Sequence, residues 1–223
     1  MDFRAGQTLL FDKPRQWTSF DLVRKVRNLT REKKTGHAGT LDPLATGLLI
    51  ICTGAHTKRI ESIQGQPKTY EAVLKLGAVT ASYDAEMPEE ALMDASGITA
   101  EQVGAALGAF RGEISQVPPV FSAIKVNGKR AYESARKGEA LELKPRPVTI
   151  YSLELMPLDL APGEYALEIV CSKGTYIRSL AHDIGQALGV GAYLRDLRRT
   201  HIGDHHVQDA WTLAGFEEMI KNS

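Results

Sequence analysis

Between Tyr70 and Leu76 the chain alternates without a break. Tyr70, Ala72, Leu74 and Leu76 share one face of an extended chain, and Glu71, Val73 and Lys75 share the other. Successive side chains of a strand point to opposite sides, so this period of two predicts a half-buried strand with Tyr70 facing the core. Val148–Leu155 and Tyr165–Cys171 alternate in the same way, and Thr8–Phe11 reads as a short strand closed by Lys13-Pro14. Leu48–Cys52 (LLIIC) is apolar throughout, the pattern of a strand covered on both faces.

Helix signals lie between these strands. Thr18 with Asp21, and Thr99 with Gln102, have the spacing of capping boxes. The first opens a helix over about Ser19–Asn28, with Phe20, Val23 and Val26 or their neighbours inward and Arg24 and Arg27 outward; the second carries Val103, Leu107 and Phe110. Ile177, Leu180, Ala181, Ile184 and Leu188 repeat at helical spacing up to Gly189, and a last helix runs over roughly Thr212–Ile220. The acidic stretch Asp84–Asp94 reads as a surface connection, and Asn127-Gly128 as a hairpin turn. The expectation is one α/β domain of the α+β type over residues 1–223, with a mixed, largely antiparallel sheet flanked by helices. Residues 121–149 form an inserted basic lobe within it.

No apolar run approaches the roughly 18 residues of a membrane span, and no basic start with an apolar stretch marks a signal peptide. Cys52 and Cys171 stand alone in apolar surroundings, as small buried hydrophobes of a reducing compartment do. These features point to a cytoplasmic protein.

The 27 basic and 27 acidic residues cancel, yet they are segregated. Arg24–Lys34 holds six basic residues and one acid, and Phe121–Thr149 holds seven and three. Arg195, Arg198 and Arg199 form a third basic cluster, whereas Asp84–Glu101 has six acids and no base. Any one run suits a solvated helix face; together they favour a polyanionic partner.

The segment with most chemistry is Gly36–Gly47, too rich in Gly, Thr and Pro for regular structure. It lacks the Lys-Ser/Thr of a P-loop, the second aspartate of an aspartyl-phosphate motif, and any Asp-Thr-Gly of an aspartic protease. None of the six histidines pairs with Cys at zinc-ligand spacing, and there is no Gly-x-Ser-x-Gly elbow or dinucleotide fingerprint. That leaves Asp42, although an aspartate before a proline is, on spacing alone, more often a turn former than a catalytic acid. Tyr176 and Arg178 follow Gly174-Thr175 at a helix start, where an arginine could hold a carboxylate ionised or form a plain surface ion pair.

Four segments in one order carry a resemblance: GHAGTLDPLATGLL (Gly36–Leu49), KTYEA (Lys68–Ala72), VPPVFSAIKVNGKRAYESAR (Val117–Arg136) and CSKGTYIRSLAHDIG (Cys171–Gly185). LFDKPRQWTSFDLV near the N-terminus also fits. Together they are similar to the TruB family of tRNA pseudouridine-55 synthases, over about Leu10–Arg199. The resemblance implies the pseudouridine-synthase fold. It also implies conversion of uridine 55 in the TΨC loop of tRNA to pseudouridine by base flipping, without cofactor, metal or obligate protein partner. It makes Asp42 the catalytic carboxylate, with Arg178 salt-bridged to it and Tyr70 stacked on the target base. His37, Tyr176 and Leu197 shape the site around the flipped nucleotide. It makes the 121–149 lobe an RNA clamp, with Lys125, Lys129, Arg130 and Arg136 on the RNA backbone. Bacterial members often continue into a C-terminal PUA domain, which is not expected here. The competing class is a non-catalytic protein that binds or folds tRNA.

Overall fold

The computed structural model describes residues 1–90, 92–122, 125–126, 129–130 and 143–222. In chain order the strands and helices begin with β1 (Thr8–Lys13), α1 (Ser19–Thr30), β2 (Thr35–His37), β3 (Thr46–Thr53), α2 (Ile60–Gly65) and β4 (Lys68–Leu76). β5 (Val79–Thr80), β6 (Glu89–Glu90), α3 (Ala100–Leu107), β7 (Gly112–Gln116), β8 (Lys125–Val126) and β9 (Lys129–Arg130) follow. The chain then forms β10 (Arg146–Met156), β11 (Glu164–Cys171), α4 (Ile177–Ala187), β12 (Ala192–Ile202), β13 (His205–His206) and α5 (Leu213–Lys221). It divides into two compact units, Met1–Glu71 with Leu197–Ser223, and Ala72–Asp196, the division falling inside β4 and β12.

In the first unit β3 is central. β1 and β2 both run antiparallel to it, and the end of β12 runs parallel to it through Arg198↔Thr46 and Arg199↔Gly47. The unbroken apolar run does what its pattern predicts. Leu49 and Ile51 enter one core with Leu9, Phe11, Leu22, Val23, Val26 and Phe216; Leu48, Ile50 and Cys52 enter another with Ala38, Ile63, Ile202 and Val207. Each of the large aliphatic and phenylalanine side chains among them, removed from water, contributes roughly 1.5–3 kcal/mol of hydrophobic stabilisation.

α1 begins at the predicted capping box: Thr18 accepts from the Asp21 N–H, and the Asp21 carboxylate accepts from the Thr18 N–H at 3.1 Å. Its inward stripe is Ser19, Leu22, Val23 and Val26, so the expectation for Phe20 is corrected: Phe20 is 58% exposed. Ser19 takes the inward place because its hydroxyl is used by the neighbouring loop, which turns Phe20 outward.

In the second unit β10 lies between β11 (Ile150↔Cys171 to Met156↔Ala166) and β7 (Arg146↔Gln116 to Ile150↔Gly112), antiparallel to both. β7 ends in Ser115 and Gln116. α4 buries Ile177, Leu180, Ala181 and Ile184, which meet Ala72, Leu74, Leu167, Ile169 and Leu194. α3 has its predicted capping box, Thr99 with Gln102. Of the strand pairs whose register is described, β3 with β12 is parallel and the others are antiparallel, with isolated parallel bridges at Phe11↔Trp211 and Asp84↔Leu194. The sheet is mixed and mostly antiparallel, with flanking helices.

Two charge expectations change. Asp84 is 6% exposed and bonded to the Ser82 hydroxyl at 2.6 Å, so the acidic connection begins with a core residue. The third basic cluster does not face solvent as a group. Arg199 is 1% exposed, Arg198 makes a two-pronged contact with Asp12 (3.0 and 2.7 Å), and Arg195 pairs with Glu164 at 2.9 Å. β8 and β9 pair antiparallel with Lys125↔Arg130 and Val126↔Lys129, as a hairpin centred on Asn127-Gly128 would. Asn127, Gly128 and Arg136 lie outside the described residues.

Candidate active site

The loop Ala38–Ala45 joins β2 to β3 and carries Asp42. Its ends are more regular than its composition suggests, since Thr35–His37 and Thr46–Gly47 are strand. Three side chains from elsewhere in the first unit fix its backbone. Arg199 donates from Nε to the Leu48 carbonyl (2.8 Å) and from its two terminal nitrogens to the carbonyls of Thr40 (3.4 Å) and Gly39 (3.1 Å). The Ser19 hydroxyl accepts from the Leu41 N–H at 2.9 Å and donates to the Leu41 carbonyl at 3.1 Å. Lys13, wholly buried, donates its ammonium to the carbonyls of Pro14 (3.0 Å), Trp17 (2.6 Å) and Pro43 (3.3 Å).

β12 can lie against the start of β3 only because Gly47 has no side chain: its φ is +98°, and a Cβ there would run into the Arg199 backbone. Asp42 itself accepts from the Ala45 N–H through its backbone carbonyl at 3.1 Å, a turn closing immediately behind the carboxylate.

The electrostatics centre on buried cations. Burial pulls the Lys13 ammonium down to about 8, the Asp42 carboxylate opposes this, and Arg199 adds to it. His37, at the end of β2, is held below the usual imidazole range by burial and by the Arg199 charge. It is therefore neutral at pH 7, a form suited to stacking among bases. Tyr70 is 8% exposed on the core-facing side of β4, as its alternation predicts, and Leu197 is 9% exposed on β12. Asp42, His37, Tyr70 and Leu197 all belong to the first unit.

Tyr176 and Arg178 lie in the second unit, at the start of α4. The Tyr176 backbone is bracketed by one buried amide: its N–H donates to Gln116 Oε1 (2.8 Å), and Gln116 Nε2 donates to its carbonyl (3.0 Å). Arg178 is 4% exposed, so it is no surface ion pair. It donates to the Ser82 carbonyl at 3.2 Å and lies 3.6 Å from the Asp84 carboxylate, whose other oxygen accepts from the Ser82 hydroxyl and the Glu86 N–H. Tyr83, between them, has a φ of +61° and stacks on His182 with ring centroids 4.0 Å apart.

Sequence reasoning missed Lys13, Arg199, Gln116 and Asp84. For one of them a signal existed. Lys13 continues the inward alternation of Leu9 and Phe11, and a polar residue on the buried phase of a strand needs internal partners. Arg199 had no such signal because β12 was not read as a strand.

A carboxylate on a loop anchored by a buried arginine and a buried lysine, in a mixed α/β sheet, defines a protein that holds an acid in a fixed place. A family model described as "TruB family pseudouridylate synthase (N terminal domain)" matches residues 27–177. A second, "tRNA pseudouridylate synthase B C-terminal domain", matches residues 178–223. The chain belongs to the TruB family of pseudouridylate synthases. It is similar to tRNA pseudouridine synthase B of Phocaeicola vulgatus, 51% identical over 99% of this chain and 95% of that protein. It is 55% identical to the protein of that name from Parabacteroides distasonis, over 92% of this chain and 88% of the relative. Among solved structures, a chain in the crystal structure of a Cbf5-Nop10-Gar1 complex matches with a TM-score of 0.73 at 27% identity, covering 97% of this chain and 54% of that one. This chain therefore spans about half of that protein.

Proposed function

We propose that this protein converts uridine 55 in the TΨC loop of tRNA to pseudouridine, in the cytoplasm, with Asp42 as the catalytic carboxylate. The observation that carries the reading is the clamp on the Asp42 loop, within a chain that matches this family along nearly its whole length. Three side chains buried in the fold are committed to holding that backbone still. Preorganisation of this kind suits an acid that acts on a substrate.

The reaction breaks the C1′–N1 glycosidic bond, turns the uracil, and forms a C1′–C5 bond; C5 loses its proton and N1 gains one. No electron is gained or lost, so no redox cofactor enters the balance. Asp42 acts at the ribose. Tyr70 offers a stacking face for the detached base, worth ~1–3 kcal/mol, and Arg178 supplies the guanidinium that pairs with the catalytic carboxylate. His37, Tyr176 and Leu197 shape the space for a nucleotide flipped from its stack, at a cost of a few kcal/mol. The basic lobe of residues 121–149, through Lys125, Lys129, Arg130 and Arg136, holds the RNA backbone. Among the described residues no helix is long and apolar enough to cross a membrane.

The test is to map pseudouridine in an unmodified tRNA transcript after incubation with the protein. Product at position 55 supports the assignment, and product elsewhere or none overturns it. A protein that only binds or folds tRNA would retain the transcript and leave every uridine unchanged.

A further inference from the structure

Phe20 is out of place by the ordinary logic of an amphipathic helix. It is 58% exposed on α1, while the smaller Ser19 occupies the buried stripe. Ser19 is there because its hydroxyl makes two hydrogen bonds to Leu41, the residue before Asp42. The Gln16 N–H donates to the Pro43 carbonyl at 2.8 Å, the residue after it. The turn leading into α1 is thus bonded to both neighbours of Asp42, and Phe20 is the next large side chain outward from that joint.

Along the outer face of α1 runs an open cleft of about 210 Å³ lined by Gln16, Trp17, Asp21, Arg24, Lys25 and Asn28; Phe20 stands outside that lining and is linked to it through Arg24. Arg24 is one helical turn from Phe20, the spacing at which side chains are neighbours, and it is 63% exposed. Its pair with Asp21 at 2.8 Å is of the exposed kind, which exchanges readily for a phosphate. Arg15, Arg31, Lys33 and Lys34 add exposed positive charge on the same segment. An exposed aromatic ring flanked by cations and amides fits an unpaired nucleotide: the ring takes the base, the guanidinium takes the phosphate, and the amides meet base edges. A greasy protein partner would ask for more apolar area and fewer charges.

We propose that Phe20 with Arg24 forms an RNA subsite beside the catalytic loop, where an unpaired nucleotide near the reacting uridine stacks on the Phe20 ring. This rests on the proposed action on tRNA. The subsite contributes grip and register, while the chemistry stays with Asp42.

The experiment measures tRNA-transcript affinity, single-turnover rate at saturating tRNA, and sedimentation of the free protein, for wild type, Phe20→Ala, Phe20→Leu, Phe20→Trp and Arg24→Gln. Phe20 is exposed, so these variants keep the fold. Phe20→Ala should weaken binding by roughly tenfold, with the saturated rate within twofold of wild type. Phe20→Trp should restore binding and Phe20→Leu should not, because stacking needs a π face. Arg24→Gln should lower the salt slope of binding by about one. Unchanged affinity in Phe20→Ala overturns the proposal. So does full binding by Phe20→Leu, or a change in sedimentation showing that the ring contacts a second copy of this chain. Failure of wild type to make pseudouridine would instead overturn the proposed function, since affinity is read independently of product.

Discussion

At the scale of single residues, the site is built from groups that do no chemistry of their own. Arg199 spends its whole guanidinium on backbone carbonyls of the Asp42 loop and the strand after it, and Lys13 spends its ammonium on three more. A buried cation of this sort is costly, and the three carbonyls and the nearby Asp42 carboxylate offset the loss of water. Lys13 also carries a testable titration. Burial brings it down from 10.5 to about 8, so its ammonium is present below that pH and lost above it. If the ammonium holds the Asp42 loop in its working position, the single-turnover rate should fall as pH rises through about 8. Lys13→Met keeps the length and removes the charge. It should start roughly tenfold or more slower at neutral pH and show no further alkaline decline. An alkaline limb unchanged in that variant would show that another group titrates there.

At the scale of elements, α1 and α4 each carry a proposed site residue, Phe20 and Arg178, in the first turn and bury an apolar stripe. The stripe of α4 was legible in sequence, since Ile177, Leu180, Ala181 and Ile184 repeat at helical spacing. Its polar side was not, because the Tyr83–His182 stack and the Arg178–Asp84 contact join residues about a hundred positions apart, and no periodicity encodes that. α4 also carries Asp183, which burial pushes up to about 6. The folded state therefore prefers the neutral acid. That preference stabilises the fold below the unfolded value of 3.8 and is lost as pH rises through about 6. Asp183→Asn, neutral throughout, should match wild type near pH 4 and exceed it near pH 7. The gap, discounted for partial exposure, is about 1–2 kcal/mol, or roughly 2–4 °C in Tm per kcal/mol. A gap that shrinks with rising pH would contradict the burial argument. The capping boxes at Thr18 and Thr99 were legible because their rule is local, three residues apart. β12 escaped notice because its buried residues are interrupted by arginines whose partners, Asp12, Glu164 and the Asp42 loop backbone, lie far along the chain.

At the scale of the whole molecule, net charge is a poor guide and charge placement a better one. The sequence carries equal numbers of acids and bases; in the Arg195–Arg199 cluster Arg199 is buried while Arg198 and Arg195 are paired at the surface with Asp12 and Glu164, whereas Arg24–Lys34 exposes Arg24, Arg31, Lys33 and Lys34. Binding of tRNA should therefore weaken linearly in log–log terms with salt. Lys33→Gln and Lys34→Gln should each lower that slope by about one, while Arg198→Gln should leave it unchanged and lower stability instead. A slope that drops on removing Arg198 would mean its pair with Asp12 opens to bind phosphate. The broad architecture was legible because its strands follow simple rules, period two for Tyr70–Leu76 and unbroken apolarity for Leu48–Cys52. Asp42 was visible as a suspicious carboxylate, but its clamp of Lys13, Ser19 and Arg199 appears only when the chain is folded. The proposed role of that carboxylate is tested most directly by incubating unmodified tRNA with wild type and with Asp42→Asn, then mapping pseudouridine and measuring affinity on the same preparations. Wild type should yield pseudouridine at position 55, and Asp42→Asn should bind within a few-fold of wild type and yield none. Pseudouridine formed by Asp42→Asn at a rate near that of wild type would contradict the assignment.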